Sequence, residues 1–144
     1  MPGTPTCYSQ AVMPIATQLN LTLANDIGTL ARLCRELAHG GVNLLAISAP
    51  ETGHDTGVVR LLVANRDLAT RALTKSGYTF AIEEVVFVQL ANRPGALAKA
   101  VEKLAKAGIG VRYAYATASS RTKKTAAVIA VAESDLTRAL RLLG

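Results

Sequence analysis

Hydrophobic and polar residues alternate over residues 18–24 and again over residues 85–91. This alternation is typical of a β-strand with one buried face. After each segment comes a short polar turn, and then apolar residues recur at spacings of three and four, which predicts an amphipathic helix. The inward positions of the two predicted helices are Leu30, Leu33, Cys34, Leu37 and Ala38 in the first, and Leu97, Val101, Leu104, Ala105 and Gly108 in the second.

Two further strands and a second helix are predicted in each half of the chain. In the first half they are strands 42–49 and 57–64, a helix from about Asp67 to Gly77, and a fourth strand over 78–83. In the second half they are strands 109–117 and 124–132, and a helix that begins near Ser134, with no counterpart of the fourth strand. The order βαββαβ predicts an antiparallel sheet with both helices on one face, as in ferredoxin-like folds.

The two halves match each other at an offset of 67 residues. Gly28 falls on Gly95, Gly41 falls on Gly108, and Arg71 falls on Arg138. Matching glycines at both ends of a helical pattern indicate an internal duplication. We therefore predict an α+β protein of two tandem ferredoxin-like βαββαβ units, the second lacking its last strand. The predicted boundaries are an N-terminal tail over 1–16, a first domain over 17–83 and a second over 84–144.

The formal net charge of +6 is concentrated in the second half of the chain. Residues 17–82 hold six Lys/Arg and five Asp/Glu, whereas residues 85–144 hold ten Lys/Arg and three Asp/Glu. An anionic ligand or nucleic acid would suit a basic half, but so would a solvated helix face together with a basic loop over Ser119–Lys124. The charge alone leaves these alternatives open.

No sequence motif indicates an enzyme, a metal site or a bound cofactor. The chain has no phosphate-binding loop, no dinucleotide-binding glycine motif and no Cys/His cluster. Its two cysteines, Cys7 and Cys34, are expected to be reduced thiols of a cytoplasmic protein. No apolar run has the length of a membrane span, so no membrane partner is expected.

The strand that runs into residues 92–98, Asn-Arg-Pro-Gly-Ala-Leu-Ala, resembles the opening of an ACT domain, and residues 106–111 continue the match. Residues 25–44 are a variant of the same pattern. Over about 17–143 the chain is similar to stand-alone tandem ACT-domain proteins. The resemblance implies a regulatory module that binds a free amino acid or similar small metabolite at an interface between paired domains. It also implies a regulated enzyme as a further partner. Because the bare side of each predicted sheet needs to be covered, a homodimer or higher homo-oligomer is expected as well.

The turn before the first helix of each half is the predicted ligand site. The first N–H groups of a helix lack internal partners and attract anions such as a carboxylate. Asp26 in one turn suits an ammonium group, and Arg93 in the other suits a carboxylate. A well-capped helix with a required turn glycine is the structural alternative, and binding by one or by both halves stays open. The candidate ligand-binding residues are Asn25, Asp26, Ile27, Gly28, Thr29, Leu30 and Asn43, with Asn92, Arg93, Pro94, Gly95, Ala96, Leu97 and Tyr113.

Two other functions are compatible with a ferredoxin-like sheet. The first is nucleic-acid binding, which normally needs exposed aromatic residues on central strands. Tyr113 and Tyr115 form the only close aromatic pair, and Phe87 is the only aromatic residue on the predicted first strands, which argues against this function. The second is a purely structural assembly role for the bare side of the sheet.

Overall fold

The computed structural model describes residues 15–118 and 124–144 of the chain. The tail through residue 14, with Cys7, and residues 119–123 of the basic loop lie outside the described residues. The chain contains two compact units, Thr17–Glu83 and Glu84–Gly144. In chain order the elements are β1 Ile15–Ala24, α1 Thr29–His39, β2 Leu44–Ser48, β3 Thr56–Val63, α2 Arg66–Lys75, β4 Ala81–Ala91, α3 Ala96–Lys106, β5 Val111–Ala118, β6 Lys124–Val131, a 3₁₀ turn Glu133–Asp135 and α4 Leu136–Leu143.

The first unit, Thr17–Glu83, contains strands in the order β2-β3-β1. Both β1 and β2 pair with β3 in antiparallel register, and therefore β1 and β2 run in the same direction. Alternate residues of β1 point into a core that both helices complete, because strand side chains alternate between the two faces. The core consists of Leu19, Leu21, Leu33, Leu37, Val42, Val59, Leu61, Val63, Ala69 and Leu73.

The second unit, Glu84–Gly144, repeats this arrangement with strands in the order β4-β6-β5. Again β6 is antiparallel to both of its neighbours. In the described residues, α4 is the last element of this unit. Its core consists of Val86, Val88, Leu104, Ile109, Ala127, Ile129, Val131, Ala139 and Leu140. The predicted fold class is confirmed.

The helices α1 and α3 end in the same way. Gly41 has φ 75° and Gly108 has φ 76°, the left-handed conformation that glycine adopts without strain. The next residue donates its N–H to the carbonyl of Leu37 at 3.0 Å in one unit and of Leu104 at 2.9 Å in the other. These are the hydrogen bonds of a Schellman motif, which accounts for the duplicated glycine after each helix.

Two strands differ in their limits from the predicted ones. β1 begins at Ile15, so the last two residues of the predicted tail over 1–16 belong to a strand. Residues 81–83 of the predicted strand 78–83 continue without a break into the predicted strand 85–91, and together they form β4. The division into two compact units lies between Glu83 and Glu84, inside this strand. Residues 81–91 contain no glycine, proline or other turn residue that would interrupt a strand. Tyr78 and Phe80 precede this strand and pack against the core of the first unit.

Candidate functional site

The first candidate site is the turn between β1 and α1. Gly28 precedes the helix with φ 91° and ψ −9°, and no side chain caps the helix. The N–H of Thr29 donates to the carbonyl of Asp26 at 3.2 Å, and the N–H of Arg32 donates to the carbonyl of Gly28 at 2.9 Å. Because the side chains of the turn are not used for capping, this helix start is available to an external acceptor.

The turn between β4 and α3 leads into its helix through the same backbone conformation. Gly95 has φ 89° and ψ −10°. The N–H of Ala96 donates to the carbonyl of Arg93 at 3.3 Å, and the N–H of Lys99 donates to the carbonyl of Gly95 at 2.9 Å. A Cβ atom at either glycine would meet nothing within 4 Å, so the left-handed φ and not a lack of space requires glycine here. The duplication thus preserved a backbone conformation while the side chains before it changed.

In the first unit this turn borders a pocket of about 90 Å³. The other wall is the loop between β2 and β3, over residues 49–55. One water molecule needs roughly 10–15 Å³ of such cavity volume, so the pocket has room for several water molecules. Its lining is half apolar and half polar: Leu23, Ala24, Leu30, Ala49, Pro50, Gly57 and Val59, with Asn25, Asp26, Thr29 and Glu51.

Asn25 ties the turn to this loop through two hydrogen bonds. Its backbone N–H donates to the carbonyl of Asp55 at 2.7 Å. Its side-chain Nδ2 donates to Oε2 of Glu51. Glu51 is in turn held by a β-bridge to Gly57, and the carbonyl of Pro50 accepts from the N–H of Val58 at 3.2 Å. Asn25 therefore positions the Glu51 carboxylate beside the start of α1.

Two carboxylates, those of Asp26 and Glu51, are the charged groups that line the pocket, and both residues are solvent-exposed. The corresponding turn of the second unit carries Arg93 at the position of Asp26. The two turns therefore offer one backbone geometry with opposite charge. In the described part of the chain, no three His, Cys, Asp or Glu side chains are grouped in a way that could hold a metal ion.

Comparison with known proteins connects this duplicated turn to a family. A family model for an ACT domain pair matches residues 13–141. The chain belongs to the ACT domain pair family. The resemblance found in residues 92–98 is thereby confirmed, and the match covers both units. A search of curated proteins found no significant match.

Several solved structures share the fold of this ACT domain pair. A protein from Bacteroides thetaiotaomicron is 30% identical with a TM-score of 0.79, covering 91% of this chain and 90% of its own. The ligand-free regulatory subunit of aspartate kinase from Thermus thermophilus is 19% identical with a TM-score of 0.63, covering 91% of each chain. The corresponding Thermus flavus subunit is 18% identical with a TM-score of 0.61, again covering 91% of each. At these identities, the similarity of this chain to the two aspartate kinase subunits concerns the fold alone.

The pocket of the ACT domain pair brings four of the predicted residues together, namely Asn25, Asp26, Thr29 and Leu30. The Ile27 side chain is fully exposed to solvent at the tip of the turn, and Gly28 contributes backbone only. In the second unit, Asn92, Arg93, Pro94, Gly95 and Leu97 are exposed, and Ala96 is half-buried.

Asn43 and Tyr113 are not brought to the turns. Asn43 precedes β2, and its carbonyl accepts from the N–H of Ala64 at 3.0 Å, beyond the end of β3. Since β1 and β2 are parallel, the turn after β1 meets the residues that follow β2, roughly 20 Å further along the strand. Tyr113 pairs with Ala130 near the end of β6, whereas the turn after β4 lies beside Lys124 at its start.

Tyr113 does not lie in a ligand pocket at the turn, as predicted, but beside Arg112 on β5. Its ring lies beneath the guanidinium of Arg112, 5.7 Å from the ring centroid to Cζ, within the range of a cation–π interaction. Tyr113 and Tyr115 are both half-buried, on the sheet face opposite to the helix-covered core.

Sequence reasoning missed two groups of lining residues: Leu23 and Ala24 at the end of β1, and Ala49, Pro50, Glu51, Gly57 and Val59 of the β2–β3 hairpin. The signal for the hairpin residues is the parallel direction of β1 and β2, which follows from the predicted βαββαβ order. It places the end of the second strand, and not its start, next to the turn.

None of the helices in residues 15–118 and 124–144 is long and apolar enough to span a membrane.

Proposed function

We propose that this ACT domain pair is a regulatory protein without catalytic activity of its own, which binds a free amino acid at its strand-to-helix turns. The observation that carries the proposal is the pair of turns with one backbone conformation, the first of which borders a pocket. In this proposal residues 17–83 and 84–144 are the two ACT-like domains, preceded by a tail over 1–16.

The first pocket offers complementary groups to each end of an amino acid. The start of α1 attracts a carboxylate through its free N–H groups and the helix dipole. The carboxylates of Asp26 and Glu51 accept hydrogen bonds from an ammonium group. The apolar residues of the lining contact the side chain of the ligand. In the second unit the proposed site consists of Asn92–Leu97, where Arg93 would bind a carboxylate directly.

Regulation requires that binding alters a second equilibrium. We infer that the ligand changes the packing of the chain in a homodimer or higher homo-oligomer, or on a regulated enzyme in the cytoplasm, which couples occupancy to activity. The similarity in fold to an aspartate kinase regulatory subunit supports an enzyme as the partner. A physical association with such an enzyme is the expected readout in a cell.

A thermal-shift screen of the twenty amino acids tests the proposal. A ligand that binds only the folded state at a hundred times its Kd stabilises the protein by about 2.7 kcal/mol, which raises its melting temperature measurably. We expect at least one amino acid to do so, with calorimetry confirming a saturable site. If all twenty leave the melting temperature unchanged at millimolar concentration, and calorimetry shows no heat of binding, the proposal is wrong.

A further inference from the structure

We propose that the loop between β2 and β3, residues 49–55, is a strap that opens and closes at the pocket of the first unit, and that the side chain of Asn25 is its latch. The inference rests on the proposed function only for the nature of the molecule that enters the pocket. Closure itself is a property of the chain without a ligand, and it follows from the way the strap is held and from the place where the latch lies.

The strap is held by hydrogen bonds and not by packing. All of its residues are solvent-exposed, and none of them belongs to the core of the first unit or packs against it. A segment that buries no apolar side chain opens at a small fraction of the free energy of global unfolding. The neighbouring strand β3 differs in this respect, because Val59, Leu61 and Val63 anchor it in the core. The strap can therefore open while β3 stays in place.

The hydrogen bonds within the strap close its tip on the start of β3. The N–H groups of Thr52 and Gly53 donate to the carbonyl of Thr56, at 3.1 Å and 3.2 Å. Gly53 is needed for this turn, since a Cβ atom there would lie 2.6 Å from Oγ1 of Thr56. Both amides belong to exposed residues, so they exchange with solvent when the strap opens and the two bonds break. Their exchange rates therefore report how often the strap is open.

Asn25 joins the strap to the turn before α1. Its backbone N–H donates to the carbonyl of Asp55 at 2.7 Å, next to the point where Ala24 pairs with Thr56. This bond continues the pairing of β1 with β3 and needs no side chain. The Nδ2 group of Asn25 donates to Oε2 of Glu51, at the other end of the strap. A hydrogen bond to a carboxylate is roughly twice as strong as one between neutral groups, and this bond makes the Asn25 side chain the latch.

The latch connects the two walls of the pocket. One wall comes from the end of β1 and the start of α1, and the other comes from the β2–β3 hairpin. Asn25 lies in the first wall and Glu51 in the second, so their hydrogen bond crosses from one wall to the other. A molecule that enters between the walls has to accommodate this bond or break it. Occupancy of the pocket and the position of the strap are thereby linked, which gives binding a conformational output.

Hydrogen exchange of the full chain without ligand, followed by mass spectrometry, tests the latch. Asn25→Ala and Glu51→Ala remove the same bond, so each should raise the exchange rate of the peptide that covers residues 49–56 roughly ten-fold or more. The double variant should exchange about as fast as either single one, because changes that remove one shared bond do not add. Asn92→Ala makes the same change at the equivalent position of the second unit and is the matched control, with no effect on this peptide.

The pattern of exchange separates a latch from a residue that supports the whole unit. A latch affects residues 49–56 and leaves the amides of β1 and of residues 59–63 unchanged. The proposal is overturned if Asn25→Ala speeds exchange throughout these strands as well, or if it has no effect on the strap. It is also overturned if the effects of Asn25→Ala and Glu51→Ala multiply, because the two side chains then act independently.

A thiol in the pocket tests whether the strap controls access. Thr29 is half-buried in the lining, so Thr29→Cys places a single thiol there in a chain that also carries Cys7→Ala and Cys34→Ala. In this chain Asn25→Ala should raise the rate of reaction with a maleimide reagent roughly ten-fold or more, whereas Asn92→Ala should not. Equal rates for both, together with faster exchange of the strap, would mean that opening admits nothing to the pocket, and the proposal would be wrong.

The latch and the proposed function can fail separately, because neither experiment contains an amino acid. A thermal-shift screen without any ligand refutes the proposed function and leaves the latch standing. An unaltered strap in Asn25→Ala refutes the latch and leaves the proposed function standing.

Discussion

Replacing Gly28 or Gly95 with alanine measures how much stability depends on the left-handed turns. An L-residue in this conformation costs about 1–2 kcal/mol. The new Cβ meets nothing within 4 Å at either position, so no steric clash adds to that cost. Alanine also reduces the entropy of the unfolded chain, which recovers part of it. The expected net loss is about 1 kcal/mol of unfolding free energy for each variant, and the two losses should be nearly equal because the φ angles are 91° and 89°.

Urea denaturation followed by circular dichroism measures these losses, and Gly110→Ala is the control. Gly110 also has open space around its Cβ position but lacks a positive φ, so alanine there should be neutral or stabilise by about 0.4–1 kcal/mol. The reasoning fails if Gly28→Ala costs more than about 3 kcal/mol, a value that strain in one residue does not reach. It also fails if the Gly28 and Gly95 variants differ markedly, or if Gly110→Ala is as destabilising as either.

Two further variants test packing and capping in the first unit. Gly40→Ala places a Cβ 2.7 Å from that of Ala72 and forces α1 away from α2, so we expect it to cost about 1–3 kcal/mol in the same denaturation assay, with Ala72→Gly in the same chain recovering part of the loss. Asn65 accepts a hydrogen bond from the N–H of Leu68 at 3.0 Å at the start of α2. Asn65→Ala should cost about 1 kcal/mol by thermal denaturation, whereas Asn65→Asp, which keeps the acceptor, should cost little, and equal losses would contradict the capping role.

The features that could be predicted from the sequence are those that depend on neighbours along the chain. The alternation over 18–24 and the three-to-four spacing after Gly28 are local, and both elements form where they were predicted. The glycine matches at an offset of 67 correspond to backbone conformations that glycine adopts easily, which is why both copies retained them. A repeat is informative in this way because the same constraint acts on it twice.

The composition of the pocket could not be predicted in the same way, because it depends on which strand ends meet. The sequence predicts Asn43 as a site residue at the start of the second strand, but the parallel direction of β1 and β2 brings Glu51, beyond the other end of that strand, to the turn. The hydrogen bond between Asn25 and Glu51 joins residues 26 positions apart and has no local signature. β4 is longer than the sequence predicts, because Glu83 and Glu84 lie within it and two charged residues do not interrupt a strand.

The turns at Gly28 and Gly95 also show that the side chains of the turn are separable from the backbone that carries them. Asp26-Ile27 and Arg93-Pro94 occupy equivalent places, and the two backbone hydrogen bonds at the start of each helix agree within 0.1 Å. The two copies thus carry different dipeptides before a glycine of the same backbone conformation. We therefore expect that the dipeptide before each glycine can be exchanged between the two copies while the left-handed glycine and the start of the helix are kept.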